Sequence, residues 1–227
     1  ATAIKLRKQK RAVLVTIGDG GTSKGDFLEA LNLAGVWKLP VVFVINNNQW
    51  AISVPRHFQS AGPCLAQKGA GAGIDAKQLD ANDYIGLHHQ FSLALDHARA
   101  GKGPTVIETV GYRLSDHTTA DDASHYRSDE GKQKAWELEP IKRLKNYLDQ
   151  QGWWSDGLEQ SWQQQVSEEI DLQVKKYLAN SPRAPESMFE HVYQQWPVAL
   201  AEQKQQLESR LLYRQKLQEN KEQGAGK

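Results

Sequence analysis

The chain has 227 residues, 39% of them apolar and seven of them Trp, and a formal net charge of +1. That length suits one large domain, or one domain with an extension, and the near-neutral charge gives no electrostatic reason to expect nucleic acid or an anionic membrane as a partner. The single cysteine, Cys64, rules out an internal disulfide framework and fits a reducing compartment. A bacterial cytoplasm is favoured, and a mitochondrial matrix is left open.

The basic stretch IKLRKQKR, with Lys5, Arg7, Lys8, Lys10 and Arg11, reads as a solvated face or an interdomain strand. The chain opens at Ala1 and leads straight into an apolar strand, so a fragment is expected. Ala12 to Ile17 (AVLVTI) is a β-branched run that predicts a buried strand. A glycine-rich turn follows. From Asp26, Phe27, Leu31 and Ala34 recur at helical spacing, and Pro40 stops that helix. Val41 to Ile45 (VVFVI) is the next strand, far too short to span a bilayer, and no signal-peptide pattern opens the chain. A strand–loop–helix–strand unit predicts a parallel pair with a right-handed crossover. A Gly- and Pro-rich loop occupies Asn46 to Gly73. Ile74 to Leu79 reads as a strand, and Asp80 or Asn82 as the cap of a helix from about Asp83 to Ala100. Gly101 and Gly103 end that helix, and Thr105 to Val110 (TVIETV) is a further strand. The pattern predicts an α/β fold: an open, mostly parallel sheet with helices on both faces.

After a polar loop, Tyr112 to Glu130, the chain becomes helical. Pro140 starts a helix with Ile141, Leu144 and Leu148 on one face and Gly152 as its stop. Trp162, Val166, Ile170 and Val174 step by four along another. Leu200, Leu207, Leu211 and Leu217 mark a narrow stripe on a last helix, about Val198 to Asn220. The expected organisation is an α/β region over 1–137, a helical C-terminal region over 138–220 and a disordered tail over 221–227.

Three features point to chemistry. Gly18-Asp19-Gly20-Gly21-Thr22-Ser23 lies at the carboxyl end of a strand and before a helix, where open α/β sheets bind ligands. Glycines let backbone N–H groups approach a phosphate. The turn is neither a dinucleotide fingerprint nor a Walker loop, and its Asp would repel a diphosphate unless a cation lay between them. Taken alone it also fits an ordinary tight turn. Asn46-Asn47-Asn48 ends the neighbouring strand, so an Asn there can face Asp19. Alone, the run also fits a turn cluster. Together, a carboxylate oxygen, an amide oxygen, a backbone carbonyl and phosphate oxygens suit Mg²⁺. The third feature is YRLSDHTTADDASHYRS, Tyr112 to Ser128, where His117 stands among Asp116, Asp121 and Asp122 with Arg113 and Arg127 nearby. Such a cluster can orient an imidazole for proton transfer, although a lone loop His is commonly just solvated. His88 and His89 read as surface or interface residues, and Cys64 lacks a paired base.

Asp19 followed by Asn48, with glycines after the Asp, resembles the GDG…NN motif of thiamine-diphosphate enzymes. The stretch GDFLEALNLAGVWKLPVVFVINNNQWAISVP resembles alpha subunits of the 2-oxo acid dehydrogenase complexes, as does the His117 loop. AISVP, LEPIKRLKNYLDQQGWW and FEHVYQQWP look more like the branched-chain type than the pyruvate type.

The resemblance covers almost all of the chain and implies the thiamine-diphosphate-binding fold, with 1–137 as the C-terminal part of its α/β domain. It implies Mg²⁺ held by Asp19, Asn48 and the backbone carbonyl of Trp50, where relatives usually have Tyr. It implies diphosphate held by the backbone of Gly20 and Gly21, and a cofactor-contacting position at Asn46. His117 matches the active-site His, which contacts the diphosphate end and serves acylation of lipoyl. Arg113, Asp121, Tyr126 and Arg127 match the pattern that orders its loop. Thr118 and Ser128 match positions phosphorylated in mitochondrial relatives and read as structural here. The implied activity is oxidative decarboxylation of a branched-chain 2-oxo acid with reductive acylation of a lipoyl group. The implied partners are a beta subunit in an α2β2 assembly and a lipoyl-bearing acyltransferase. A pyruvate dehydrogenase alpha subunit, or a truncated chain acting only as an assembly scaffold, is the alternative.

Overall fold

The computed structural model describes the backbone of residues 1–224 and the side chains of residues 1–217. In chain order the elements are α1 (Thr2–Leu6), β1 (Val13–Gly18), α2 (Gly25–Val36), β2 (Val41–Asn47), β3 (Trp50–Ala51), β4 (Val54–Pro55), α3 (Gln67–Gly71), β5 (Asp75–Asp80), α4 (Tyr84–Arg99), β6 (Thr105–Val110), α5 (Asp129–Glu137), α6 (Pro140–Gln150), α7 (Asp156–Leu178) and α8 (Val198–Gly224). They fall into two compact units, Ala1–Asp156 and Gly157 onward. No helix among the described residues is long and apolar enough to cross a membrane.

The first unit is built on a four-stranded sheet in the order β1-β2-β6-β5, parallel throughout. The β1→β2 and β5→β6 connections run in opposite directions along it, so right-handed crossovers put their helices on opposite faces. Strand alternation makes this possible. Val41, Phe43 and Ile45 of β2 pack with Phe27, Leu31 and Ala34 of α2. Val42 and Val44 point the other way and pack with Ala94 and Ala98 of α4. β6 splits likewise, Val106 toward α2 and Ile107 toward α4. The sheet is therefore apolar on both faces, which is why β2 and β6 read as continuous apolar runs.

Five local features depart from the sequence reading. β1, expected to be buried, is an edge strand: Leu14 is 44% and Val15 40% exposed, because β2 is its one neighbour in the sheet. The basic stretch opens on the short helix α1. Asp83 is the cap of α4, its carboxylate accepting from Gly86 N at 3.0 Å. Asp80 and Asn82 shape the preceding turn instead. The loop over 46–73 holds the β3–β4 hairpin, a 3-10 turn at Arg56–Phe58 and α3. A helix not foreseen, α5, is capped by Ser128, whose hydroxyl accepts from Gly131 N. α6 starts at Pro140 and is followed by Gly152 at φ +70°, a left-handed backbone that glycine adopts without strain.

The second unit contains most of α7, a 3-10 segment at Pro185–Phe189, and α8. Phe189 meets Trp196 with ring centroids 6.4 Å apart, and Lys204 lies over the Trp196 ring. Trp162, Val166, Ile170 and Val174 are all exposed. Helix α8 continues through residues 221–224, where a disordered tail is expected; residues 225–227 lie outside the described residues.

Candidate functional site

The parallel register brings the two sequence motifs to one end of the sheet. Gly18 pairs with Asn46, Asn46 with Thr109 and Asn47 with Val110. Asp19 leads from β1 into a 3-10 turn, Gly20–Ser23. Its side chain is 3% exposed and has no ion-pair partner among the described residues. Gln59 Nε2 donates to Asp19 Oδ2 at 3.3 Å. Burial pushes the Asp19 carboxyl above its ordinary value, against the opposing pull of Gly20 N–H, the Gln59 amide and the more distant charge of Arg113. A carboxylate desolvated this way and neutralised by no cation gains from a bound one.

The turn needs its glycines. A Cβ on Gly20 would lie 2.5 Å from the Ala51 Cβ, and one on Gly21 2.7 Å from Ile17 Cγ1. Thr22, fully buried, donates its hydroxyl to the Asp19 carbonyl at 2.7 Å, and Lys68 Nζ donates to Thr22 O at 2.6 Å. The turn is thus braced from the loop that carries α3.

The three asparagines have three different fates. Asn46 is exposed. Asn47 is buried: its Nδ2 donates to Glu108 at 2.6 Å, while its Oδ1 accepts from Gln49 N and Gln49 Nε2. Asn48 Oδ1 accepts from Trp50 N at 3.1 Å. The Trp50 carbonyl takes a long contact from Arg113 Nη1, 3.4 Å. Both oxygens keep a second lone pair. Sequence reasoning missed Asn47 and Glu108, although a lone Glu inside the apolar strand TVIETV was the available signal.

The segment carrying His117 is ordered by its arginines. Arg127, 7% exposed, donates to the carbonyls of Arg113 and Ser115 and lies over the Tyr112 ring. Arg113 Nη2 donates to Ile52 O at 2.8 Å and to the Tyr126 hydroxyl at 2.7 Å. Tyr126 in turn donates to Asp121 Oδ2 at 2.5 Å. His117 is exposed; its backbone N–H donates to the same Asp121 oxygen at 2.9 Å. Hydrogen bonds from Tyr126 and then His117 hold the Asp121 carboxyl below its ordinary value.

A cleft of about 640 Å³ opens at the carboxyl ends of β2, β5 and β6, lined by Asn46, Asn48, Ala81, Tyr112, Arg113 and Leu138 among others. Asp19, Gly20, Gly21, Trp50 and His117 are not part of its lining. Arg113 is common to all parts: it lines the cleft, bonds Trp50 O, braces the His117 segment and acts electrostatically on Asp19. The oxygen set of Asp19, Asn48 and Trp50 is hard, suiting a small cation such as Mg²⁺. Among the described residues, no group of three or more His, Cys, Asp or Glu comes together, so any cation here must draw on amide, carbonyl or ligand oxygens.

Residues 1–186 match the profile of the family described as dehydrogenase E1 component. The chain is 42% identical over 207 residues to the pyruvate dehydrogenase E1 component subunit alpha of Acholeplasma laidlawii, covering 89% of this chain and 59% of that protein. It is 38% identical over 212 residues to the 3-methyl-2-oxobutanoate dehydrogenase subunit alpha of Mycobacterium tuberculosis, covering 93% of this chain and 58% of that protein. A third relative, the pyruvate dehydrogenase E1 component subunit alpha of Bacillus cereus, is 38% identical over 208 residues, 89% of this chain and 55% of that protein. The chain thus spans less than two thirds of the length of these relatives.

Proposed function

Because the chain belongs to the dehydrogenase E1 component family, we propose that it is the alpha subunit of a thiamine-diphosphate-dependent 2-oxo acid dehydrogenase, working with a beta subunit and a lipoyl-bearing acyltransferase. The observation that carries the reading is the pairing of Gly18 with Asn46, which sets the Asp19 turn beside the asparagine run. Asp19 and Asn48 would hold Mg²⁺ with the Trp50 carbonyl, and the backbone of Gly20 and Gly21 would hold the diphosphate. Asn46 would contact the cofactor from the cleft. The desolvated Asp19 carboxylate and the hard oxygen set support this assignment.

Thiamine diphosphate, when bound, supplies the nucleophilic carbon and the electron sink that decarboxylation of a 2-oxo acid requires. The chain supplies binding, orientation and proton management. The Arg113–Tyr126–Asp121 relay, with Arg127 beneath it, fixes the backbone on either side of His117. The exposed His117 imidazole then holds or delivers a proton during acyl transfer to lipoyl.

The segments AISVP and LEPIKRLKNYLDQQGWW favour a branched 2-oxo acid, and the 42% identity to a pyruvate-type subunit favours pyruvate as a second reading. Two measurements on the complete chain assembled with a beta subunit test the proposal. Calorimetric titration should show Mg²⁺-dependent thiamine diphosphate binding that Asp19→Ala abolishes; undiminished binding would sink the site. The ratio of kcat/KM for 3-methyl-2-oxobutanoate and pyruvate then decides the acyl chain.

A further inference from the structure

Glu108 is a carboxylate at the centre of the sheet, on β6, with no exposed surface. In sequence it lies between Ile107 and Thr109, and among the described residues it has no ion-pair partner. Burying an ionisable side chain without a cation is unfavourable unless its oxygens are satisfied. Here each oxygen has its own donor from a different segment. Asn47 Nδ2 donates to Oε1 at 2.6 Å, and the backbone N–H of Ala66 donates to Oε2 at 2.9 Å.

The first of these bonds decides the orientation of the Asn47 amide. With Nδ2 on Glu108, Oδ1 faces Gln49 and accepts from its backbone N at 3.2 Å and its Nε2 at 2.9 Å. That double contact holds Gln49 at φ +72°, a left-handed conformation rare for a side-chain-bearing residue. The reversal turns the chain so that Asn48 Oδ1 meets Trp50 N and Trp50 O meets Arg113. The second bond fixes the start of the segment whose Lys68 braces the Asp19 turn through Thr22.

We propose that Glu108 is a positioning residue: by accepting from Asn47 and Ala66 at once, it sets the turn that presents the Asn48 and Trp50 oxygens to the cation. This rests on the cofactor reading above. A glutamine cannot do the same work, because it offers one acceptor oxygen and turns an NH₂ group toward a donor. The arrangement can, however, be inverted. In the pair Asn47→Asp with Glu108→Gln, the new amide donates to one oxygen of the carboxylate at 47 and accepts from Ala66 N. The other oxygen at 47 still accepts from Gln49, and net charge is unchanged.

The test uses the complete chain assembled with a beta subunit, with thiamine diphosphate and Mg²⁺ titrated by calorimetry. Circular dichroism and assembly size serve as folding controls. Glu108→Gln should weaken Mg²⁺-dependent cofactor binding about tenfold or more. It should raise the cofactor KM while leaving kcat at saturation close to that of the parent. The inverted pair should recover most of the affinity. Binding by Glu108→Gln equal to that of the parent overturns the inference. So does equal impairment of both variants, whether through lost affinity or misfolding, since the hydrogen-bond pattern would then not be what matters. A parent assembly that binds no cofactor sinks the functional reading, and this inference with it.

Discussion

Trp50 and Tyr126 rest ring against ring, centroids 5.5 Å apart and planes inclined by 47°, and this contact ties the candidate cation loop to the segment that carries His117. Arg113 reinforces it, since one guanidinium reaches both Trp50 O and the Tyr126 hydroxyl. Order in the His117 segment should therefore depend on Tyr126. Tyr126→Phe keeps the ring but removes the hydroxyl that links Arg113 to Asp121. Without that link the segment should open more often, so proteolytic nicking between Tyr112 and Ser128 should quicken by about two- to tenfold. An unchanged nicking rate would show that the relay does not hold the segment.

Asp19 should act as a functional residue that weakens the fold it sits in. Its carboxyl is 3% exposed and lifted by burial, so ionising it at neutral pH opposes folding. Asp19→Asn keeps the shape and the Gln59 contact while removing the charge. Without added cofactor this variant should melt at a higher temperature than the parent; with Mg²⁺ and thiamine diphosphate the parent should gain stability and the variant should not. A variant that melts lower in both conditions would mean that the carboxylate is structural.

Sequence patterning revealed what periodicity and local chemistry control. Phe27, Leu31 and Ala34 of α2 and the apolar run of β2 are found where spacing places them. The parallel pairing of Gly18 with Asn46 follows from a strand–helix–strand order. Exposure of β1 was not legible, because Leu14 and Val15 look the same in sequence whether a strand has one neighbour or two. The separate fates of Asn46, Asn47 and Asn48 were equally hidden. They are set by Glu108, 61 positions from Asn47 and outside any local window, and by the reversal at Gln49, whose left-handed φ nothing in the residue type announces. Asp83 rather than Asp80 caps α4 because the Asp80 carboxylate is taken up by Asn82 N and Arg143.

Packing of α2 on the sheet offers a quantitative check. Leu31 has no exposed surface and lies in the cluster with Phe27, Phe43, Ile45 and Leu65. Leu31→Ala should cost about 2–5 kcal/mol in denaturant unfolding, lost transfer energy and the residual cavity both contributing. Leu31→Met, which nearly conserves volume, should cost less than about 1.5 kcal/mol. A loss for the alanine variant no larger than for the methionine would contradict the close packing of this face.

Asp80 and Arg143 join the carboxyl end of β5 to α6 by a contact of 2.5 Å. Burial pushes the Asp80 carboxyl up, but the Asn82 N–H and the Arg143 guanidinium together outweigh it, and the net shift is below the ordinary value of 3.8. With a depressed folded value, the stabilisation is complete above that ordinary value and is lost as pH falls through the folded one. Both side chains are about half exposed, 48% and 49%, so screening limits the pair to about 0.2–1 kcal/mol. Arg143→Ala should therefore lower stability by that small amount at neutral pH, and less in about 1 M salt, where the Debye length shrinks to about 3 Å. As pH falls below the ordinary value of 3.8 and Asp80 protonates, melting curves of parent and variant should draw together. A gap that stays constant across this range would assign the loss to the packing of the arginine stem instead of its charge.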